Sequence, residues 1–404
     1  MTEEQTDRPD EVRPRQLSRR RLLQRSAWGA AGLTAGVSLL ACGDDDTSGE
    51  SVGPEGGLPP EAGASALRLT ELSAFPGPQF ANAIGYTAEE LGFFTEEGLD
   101  YTIEYPGSTV KTTQALVAGT TGIGWLDTFG IMVAHSQNFP LKALYRTIQG
   151  NAFQFGVPAG SPITTWDAES VRGKKIGISD FSGGEVPVLR GALFRLGLAE
   201  GADFELVPIG EGGPETVEAL RSGTVQLVAG SSIDFNALEK GGAPITTITP
   251  DYLKSFPGHT YATTPELLTS NRAAMVACLR ARTKALVFAH SNLAAAAQIG
   301  MDHAPASSEG LTLQDVQEFL QLFSLDVNQM YFQEGSDTFH KIGLQNPADW
   351  DGYQTFLVDA GVEDEGASLT QKVDVNQIVT NELIDEVNDF DYAAVETMAK
   401  AYAP

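Results

Sequence analysis

Two glycine turns and a tryptophan-aspartate pair are the places in this sequence where residue type and spacing could do chemistry. Ser179-Asp180-Phe181-Ser182-Gly183-Gly184-Glu185 runs into one helical segment and Gly107-Ser108-Thr109 into another. Each turn leaves backbone N–H groups free at a helix start, where the dipole adds partial positive charge. Trp125 and Asp127 stand two residues apart in an apolar stretch. This is equipment for holding a small molecule rather than for making or breaking covalent bonds. His135, His259, His290, His303 and His340 show no metal or triad spacing, and the cysteines form no zinc motif. Cys278 lies beside a helical stripe of Met275, Leu279, Leu286 and Leu293, and reads as a small buried hydrophobe. No catalytic residue, metal site or cofactor is expected.

The elements that must position these residues are strands and crossover helices. Between Leu91 and Phe129 a helix stops at Gly98, a strand covers 101–105, and Gly107-Ser108-Thr109 caps a second helix. That helix stops at Gly119 and the chain enters a further strand at 122–125. A strand, a crossover helix and a parallel strand present their ends to a crevice, where small ligands usually sit. A cruder copy follows 104 residues later: Thr112, Ala115, Leu116, Gly119 and Thr120 recur as Thr216, Ala219, Leu220, Gly223 and Thr224. Two similar α/β lobes facing each other make a cleft.

Strands are expected at 67–73 and 141–145 in the first lobe, with 153–157 as a strand leaving it. In the second lobe they are expected at 204–209 and 225–229, after an apolar strand ending at Ile178. The strand 245–248 should return toward the first lobe, with the second crossing near 260–263, and two crossings imply a hinge. From Pro265 the pattern turns helical, at 270–299, 312–323, 348–360 and 376–402. Without strand partners, these helices are expected on the first lobe. The fold class is thus α/β, with lobe 1 discontinuous at 66–157 and 262–404 and lobe 2 at 158–261.

The first 41 residues belong to export rather than to the fold. Ser18-Arg19-Arg20-Arg21-Leu22-Leu23-Gln24 is a twin-arginine pattern, followed by an uncharged run from Ser26 to Ala41. That run is short for a membrane span, which needs about 20 apolar residues. Leu39-Leu40-Ala41-Cys42 resembles the bacterial lipobox, in which the cysteine is lipidated. Residues 42–65 are acidic and rich in glycine and proline, and read as a flexible tether. The leader holds seven arginines against five acids, so the −27 of the whole chain becomes −29 from Cys42 onward. Such a surface repels nucleic acid and anionic lipid, leaving a lipid anchor as the expected membrane contact.

The ordered stretches LGFFTEEGLD, ALVAGTTGIGW, VRGKKIGIS, ALRSGTVQLV and VTNELIDEVNDFD resemble the binding proteins of ABC importers for nitrate, taurine, alkanesulfonates and thiamine-pyrimidine precursors. The resemblance covers essentially all of 67–402. It implies a type II periplasmic-binding fold, in which two lobes close around one ligand and present it to a permease and its ATPase. By position, the cleft loops are then 74–79, 107–109, 125–129, 180–185 and 231–235. Their candidate ligand-binding residues are Phe75, Gln79, Ser108, Thr109, Trp125, Asp127, Thr128, Phe181, Ser182, Gly183, Gly184, Glu185, Ser231 and Asp234. Many members carry an asparagine in the first loop, where this chain reads Phe75-Pro76-Gly77-Pro78.

These loops hold no arginine, lysine or histidine. A flat heterocycle of aminopyrimidine or flavin type suits them better than a small anion, since aromatic faces stack on it and carboxylates accept its N–H groups. Nitrate, taurine or an alkanesulfonate would rest on backbone donors at the helix starts. Plainer roles stand beside these: Asp127 and Asp234 as helix caps, Glu185 in a favourable first turn, Phe129 and Phe235 in the core. Pyrimidine synthases share this fold, but their CCCFC motif is absent here. A ligand-sensing lipoprotein would need the same closing cleft. The expected protein is an exported, lipid-anchored monomer on the extracytoplasmic face.

Overall fold

The computed structural model describes residues 67–74, 79–106, 109–119, 122–148, 150–181, 183–322, 341–364 and 367–403. All of these lie in one compact unit, Ala62–Pro404. The leader, Cys42 and the tether fall outside the described residues, as do Phe75, Ser108 and Ser182. No described helix is long and apolar enough to cross a membrane.

Apart from a two-stranded pair at Glu363–Asp364 and Ala367–Ser368, the described strands are β1 (Leu67–Ser73), β2 (Leu99–Glu104), β3 (Ile123–Asp127), β4 (Lys142–Arg146), β5 (Phe153–Pro158), β6 (Lys174–Ile178), β7 (Phe204–Pro208), β8 (Leu227–Ser231), β9 (Ile245–Thr247) and β10 (His259–Thr263). They form two five-stranded sheets, ordered β2-β1-β3-β10-β4 and β7-β6-β8-β5-β9. In the first sheet β1 runs parallel to β2 and β3, while β10 is antiparallel to β3 and β4. In the second, β6 is parallel to β7 and β8, and β5 is antiparallel to β8 and β9. The first four residues of β3 are all buried, as a central strand covered on both faces requires.

The internal copy is visible in this frame. The helices Thr109–Val117 and Pro214–Arg221 are followed by Gly119 at φ 70° and Gly223 at φ 73°, a left-handed turn that favours glycine. They lead into β3 and β8. The same offset of 104 residues carries Asp127 onto Ser231, and each caps the helix that follows its strand.

Three expectations about assignment to lobes need correction. The strand expected to leave the first lobe, β5, pairs with β8 inside the second sheet. The strand expected to return, β9, pairs with β5 there as well. It is β10 that rejoins the first sheet, so the crossings are 147–152 and 248–258. The helix Pro347–Ala360 does not simply cover the first sheet, because its Trp350, Tyr353, Phe356 and Leu357 share a core with Leu189, Ala192 and Leu193 of the helix Glu185–Arg195. Gly191 opens the groove: a Cβ there would lie 2.4 Å from the Phe356 ring. The segment 270–299 is also three helices, Pro265–Ser270, Arg272–Ser291 and Leu293–His303, broken at Asn271 and Asn292. Asn292 caps the third through its side chain.

Between the first sheet and the helix Arg272–Ser291 lies a buried ionic cluster. Arg282 donates from Nε and Nη2 to the two oxygens of Glu71, each at 2.8 Å. The Tyr101 and Tyr261 hydroxyls donate to the same carboxylate at 2.9 and 3.1 Å. Glu71 is 1% exposed and Arg282 6%. Burial pushes both tyrosine hydroxyls well above the ordinary phenol range, so they remain donors.

Candidate functional site

The parallel strands of each sheet end at one edge, and the two crossings join these edges. On the first edge lie Ala74, Asp127, Thr147 and His259. On the second lie Ser179 to Phe181, Gly183 to Glu185, Glu211, Ser231 and Phe153, the last paired in register with Ser231. The crossings run against each other: Thr147 and Ile148 donate their N–H groups to the His259 carbonyl at 2.9 and 3.2 Å, and Gly258 N–H donates to Ile148 at 3.2 Å. Arg146, 1% exposed, reaches the carbonyls of Ile148 on one crossing and Ser255 on the other, at 3.3 and 3.4 Å. It also pairs with Asp349 at 2.8 Å.

At the first edge, Asp127 accepts from Gly130 N–H at 2.7 Å and from the Thr109 hydroxyl. Its carboxylate therefore locks two of the expected loops together in the capping role. Thr128 is 2% exposed and donates its hydroxyl to the Pro257 carbonyl at 2.8 Å, tying the helix Thr128–Ser136 to the second crossing. Trp125 is 9% exposed; its Nε1 donates to Thr147 Oγ1 at 2.7 Å. The His259 ring stacks on Trp125 at 4.4 Å between centroids and 21° between planes. Gln79 is exposed at the start of the short turn Gln79–Asn82.

At the second edge, Ser231 and Asp234 form a closed capping box in which Asp234 accepts from the Ser231 N–H and hydroxyl, both at 2.7 Å. Glu185 is 4% exposed and accepts from the Ser179 N–H at 2.8 Å and its hydroxyl at 2.6 Å. Gly183 and Gly184 are required by space: a Cβ at 183 would fall 2.2 Å from Ser179 Oγ, and one at 184 would fall 2.7 Å from Phe153 Cζ. Phe181, beside them, is 51% exposed. Phe129 and Phe235 are core residues.

The second edge is strongly acidic. Burial raises the Glu185 carboxyl above its ordinary value, opposed by the Ser179 hydrogen bonds and reinforced by Asp234. Desolvation and the charges of Asp234 and Asp180 raise that of Glu211. A raised carboxyl favours the fold in its protonated form, so Glu185 costs native stability as pH climbs past the usual carboxylate range and through its own higher value. Glu185→Gln should accordingly gain in melting temperature relative to the unsubstituted chain as pH rises above the ordinary glutamate value of about 4.3. A difference that does not grow with pH above that value would mean that the carboxyl is not raised.

Thus the structure brings Thr109, Trp125, Asp127 and Thr128 to one edge and Phe181, Gly183, Gly184, Glu185, Ser231 and Asp234 to the other. Sequence reasoning missed Ser179, Glu211 and the Trp125–His259 stack. Ser179 carries a signal, since it directly follows a strand and stands six residues before a glutamate at a helix start. The stack arises from the β3–β10 pairing, which joins residues 134 apart. Among the described residues no group of three or more His, Cys, Asp or Glu side chains is placed to hold a metal ion.

Two α/β sheets joined by two crossings, with their strand ends turned to the hinge, define the periplasmic-binding-protein fold. The chain belongs to the NMT1/THI5-like family, whose model matches residues 79–296. No curated protein matches the sequence. In structure the chain is similar to the periplasmic aliphatic sulphonate binding protein SsuA of Escherichia coli, at 16% identity, TM-score 0.57, and coverage of 79% of this chain and 92% of that one. It is similar to the periplasmic nitrate-binding protein NrtA of Synechocystis PCC 6803 at 14% identity, TM-score 0.53, and coverage of 85% and 99%. The desulfurization enzyme DSZB matches at 16% identity, TM-score 0.50, and coverage of 80% and 98%, so this fold also hosts an enzyme. At these identities the likeness is one of fold.

Proposed function

We propose that this chain is the solute-binding lipoprotein of an ABC importer, held on the extracytoplasmic face by lipid on Cys42 and the tether 42–65. In this reading the two sheets with their helices are lobes, the crossings 147–152 and 248–258 are the hinge, and closure around solute creates the form the permease recognises. The ligand is a neutral heterocycle of aminopyrimidine or flavin type. The observation that carries this choice is the charge of the second edge, where burial first and then the neighbouring charges of Asp234 and Asp180 raise the carboxyls of Glu185 and Glu211. Arg146, the buried cation beside the first edge, is engaged by the hinge. Likeness to sulphonate- and nitrate-binding proteins favours a small anion as the second reading, resting on backbone donors.

Titration calorimetry on the full chain with a hydroxymethyl-aminopyrimidine, riboflavin, taurine, an alkanesulfonate and nitrate tests the choice. Heat from a heterocycle alone is the expected result; heat from taurine or nitrate alone would replace it with the anion reading.

An ion pair bears on closure. Lys240, ending the helix Ser232–Lys240 of the second lobe, bonds Asp315 at 2.6 Å and Glu318 at 2.7 Å on the helix Leu313–Leu320. That helix packs through Val316 and Leu320 against Phe80, Ala83 and Ala297 on the first-lobe side. Removing the link in Lys240→Ala should weaken solute binding by at most about fivefold at low salt, because exposed pairs are individually weak. The difference should vanish near 1 M salt, where charges are screened within about 3 Å. An equal deficit at both salt concentrations would exclude an ionic latch.

A further inference from the structure

Three of the helices that start on the two edges already hold a carboxylate of their own at the place an anion would take. Asp127 caps the helix Thr128–Ser136 through the Gly130 N–H at 2.7 Å. Asp234 closes the capping box of the helix Ser232–Lys240. The third case is less ordinary. Gly184, the N-cap of the helix Glu185–Arg195, has no side chain to cap with, and Glu185 folds back instead. A Cβ on Gly183 would lie 2.5 and 2.6 Å from the two oxygens of its carboxylate. One of those oxygens accepts the Ser179 N–H and hydroxyl at 2.8 and 2.6 Å. The charge therefore sits under the glycine turn, against the positive end of the helix dipole. The turn itself is open to solutes, since Asp180, Phe181 and Gly184 are exposed and Gly183 is half-buried.

Packing and capping do not call for that charge. A glutamine would accept the Ser179 hydrogen bonds without the cost of burying an ion. Burial raises the Glu185 carboxyl, and the neighbouring charge that adds to the rise, Asp234, is also negative. What a carboxylate offers over an amide here is repulsion of other anions from a position that would otherwise attract them. We propose that Glu185 is a specificity residue acting by exclusion, its carboxylate filling the anion position at the start of the helix Glu185–Arg195 and keeping nitrate and sulfonates out of the second edge. The inference rests on the solute-binding reading and adds the residue that sets the class of ligand within it. Asp180, Glu211 and Asp234 add negative charge from the neighbouring loops and the helix Ser232–Lys240. Of the four, Glu185 is the one that lies against the glycine turn.

Two substitutions separate this carboxylate from the net charge of the protein. Glu185→Gln keeps the shape and the acceptor for Ser179. Glu239→Gln removes an equal charge from an exposed position about two turns along the helix Ser232–Lys240. The full chain and both variants are titrated with nitrate, an alkanesulfonate, the hydroxymethyl-aminopyrimidine and riboflavin, at about pH 7 and about pH 5. The expected result is that E185Q gains about tenfold or more in affinity for nitrate and the alkanesulfonate at the higher pH, because a like charge has been taken from their position. E239Q should change by less than about twofold, since an exposed charge at that distance is screened at physiological salt. In the unsubstituted chain, anion affinity should rise toward the lower pH as the raised Glu185 carboxyl takes up a proton. The rise should be smaller in E185Q, where only Asp180, Glu211 and Asp234 remain nearby. Anion affinity in E185Q no greater than in E239Q, or an equal pH response in E185Q and the unsubstituted chain, would overturn the exclusion, while heterocycle binding by the unsubstituted chain would keep the solute-binding reading intact. If E185Q does not fold, an unsubstituted chain whose nitrate affinity fails to rise at the lower pH would overturn it. Tight nitrate binding at about pH 7, unaltered in E185Q, would remove the exclusion and the heterocycle together. Failure of both heterocycles on all three chains would remove the heterocycle alone, because the anion gain is read without them.

Discussion

Glu71→Ala should lower the unfolding free energy by about 3–5 kcal/mol, the cost of leaving a buried charge without its partner. The carboxylate it removes receives Arg282 through two nitrogens at 2.8 Å and the hydroxyls of Tyr101 and Tyr261. Arg282 also donates to Asn82 at 3.0 Å and to the Tyr101 hydroxyl at 2.9 Å, neutral contacts that do not balance a guanidinium 6% exposed. The loss should appear as a lower urea midpoint with little change in slope, since the surface exposed on unfolding is nearly the same. Replacing the pair together, as Glu71→Met with Arg282→Met, should be milder than Glu71→Ala, because removing both charges avoids the unpaired one. Equal stability of Glu71→Ala and the unsubstituted chain would mean that water reaches Arg282 freely. Glu71 lies on β1 two residues before Ser73, and its bonds join that strand to the helix Arg272–Ser291.

The uneven legibility of the sequence has physical causes. The strands of both sheets lie close to their expected positions, because apolar runs between glycine stops are local signals. The sheet to which a strand belongs is not local. β5 and β9 have suitable composition for either sheet, and only the pairings Phe153 with Ser231 and Thr247 with Gly156 decide the matter. The helix Pro347–Ala360 is legible at 348–360, but its docking is not, since it depends on Gly191, 165 residues before Phe356. The cluster beneath the first sheet left even less trace: Glu71 in LRLTELS looks like an exposed strand residue until Arg282 is brought to it. In the site, the simpler roles set out for Asp127 and Asp234 are those the geometry displays, because an aspartate at a helix start finds its own backbone donors first. His259 could be singled out by sequence only for its nearness to a crossing; its stack on Trp125 follows from strand register.

Arg146→Met is the substitution expected to couple stability to binding most directly. The side chain is 1% exposed and holds three things together: the carbonyl of Ile148 on the first crossing, that of Ser255 on the second, and Asp349 at the start of the helix Pro347–Ala360. Methionine fills similar volume but leaves those acceptors to find water. The cost should be about 2–4 kcal/mol, below the value for a fully buried pair because the Asp349 side chain is 16% exposed and can rehydrate. Lysine in its place should recover only part, since a single ammonium cannot span three divergent acceptors as a planar guanidinium does. The more informative effect is on solute binding, measured well below the melting transition. In the proposed function, the contacts of Arg146 to both crossings couple them, so that closure about them is largely organised before ligand arrives. Without it the crossings gain independent freedom that closure must remove, so affinity should fall and association should slow even though no contact with the solute has changed. Glu71→Ala, by contrast, lies away from the crossings and should leave affinity nearly unaltered at equal distance from its own melting point. If the two variants weaken binding alike, the loss reflects general destabilisation, and Arg146 does not organise the hinge.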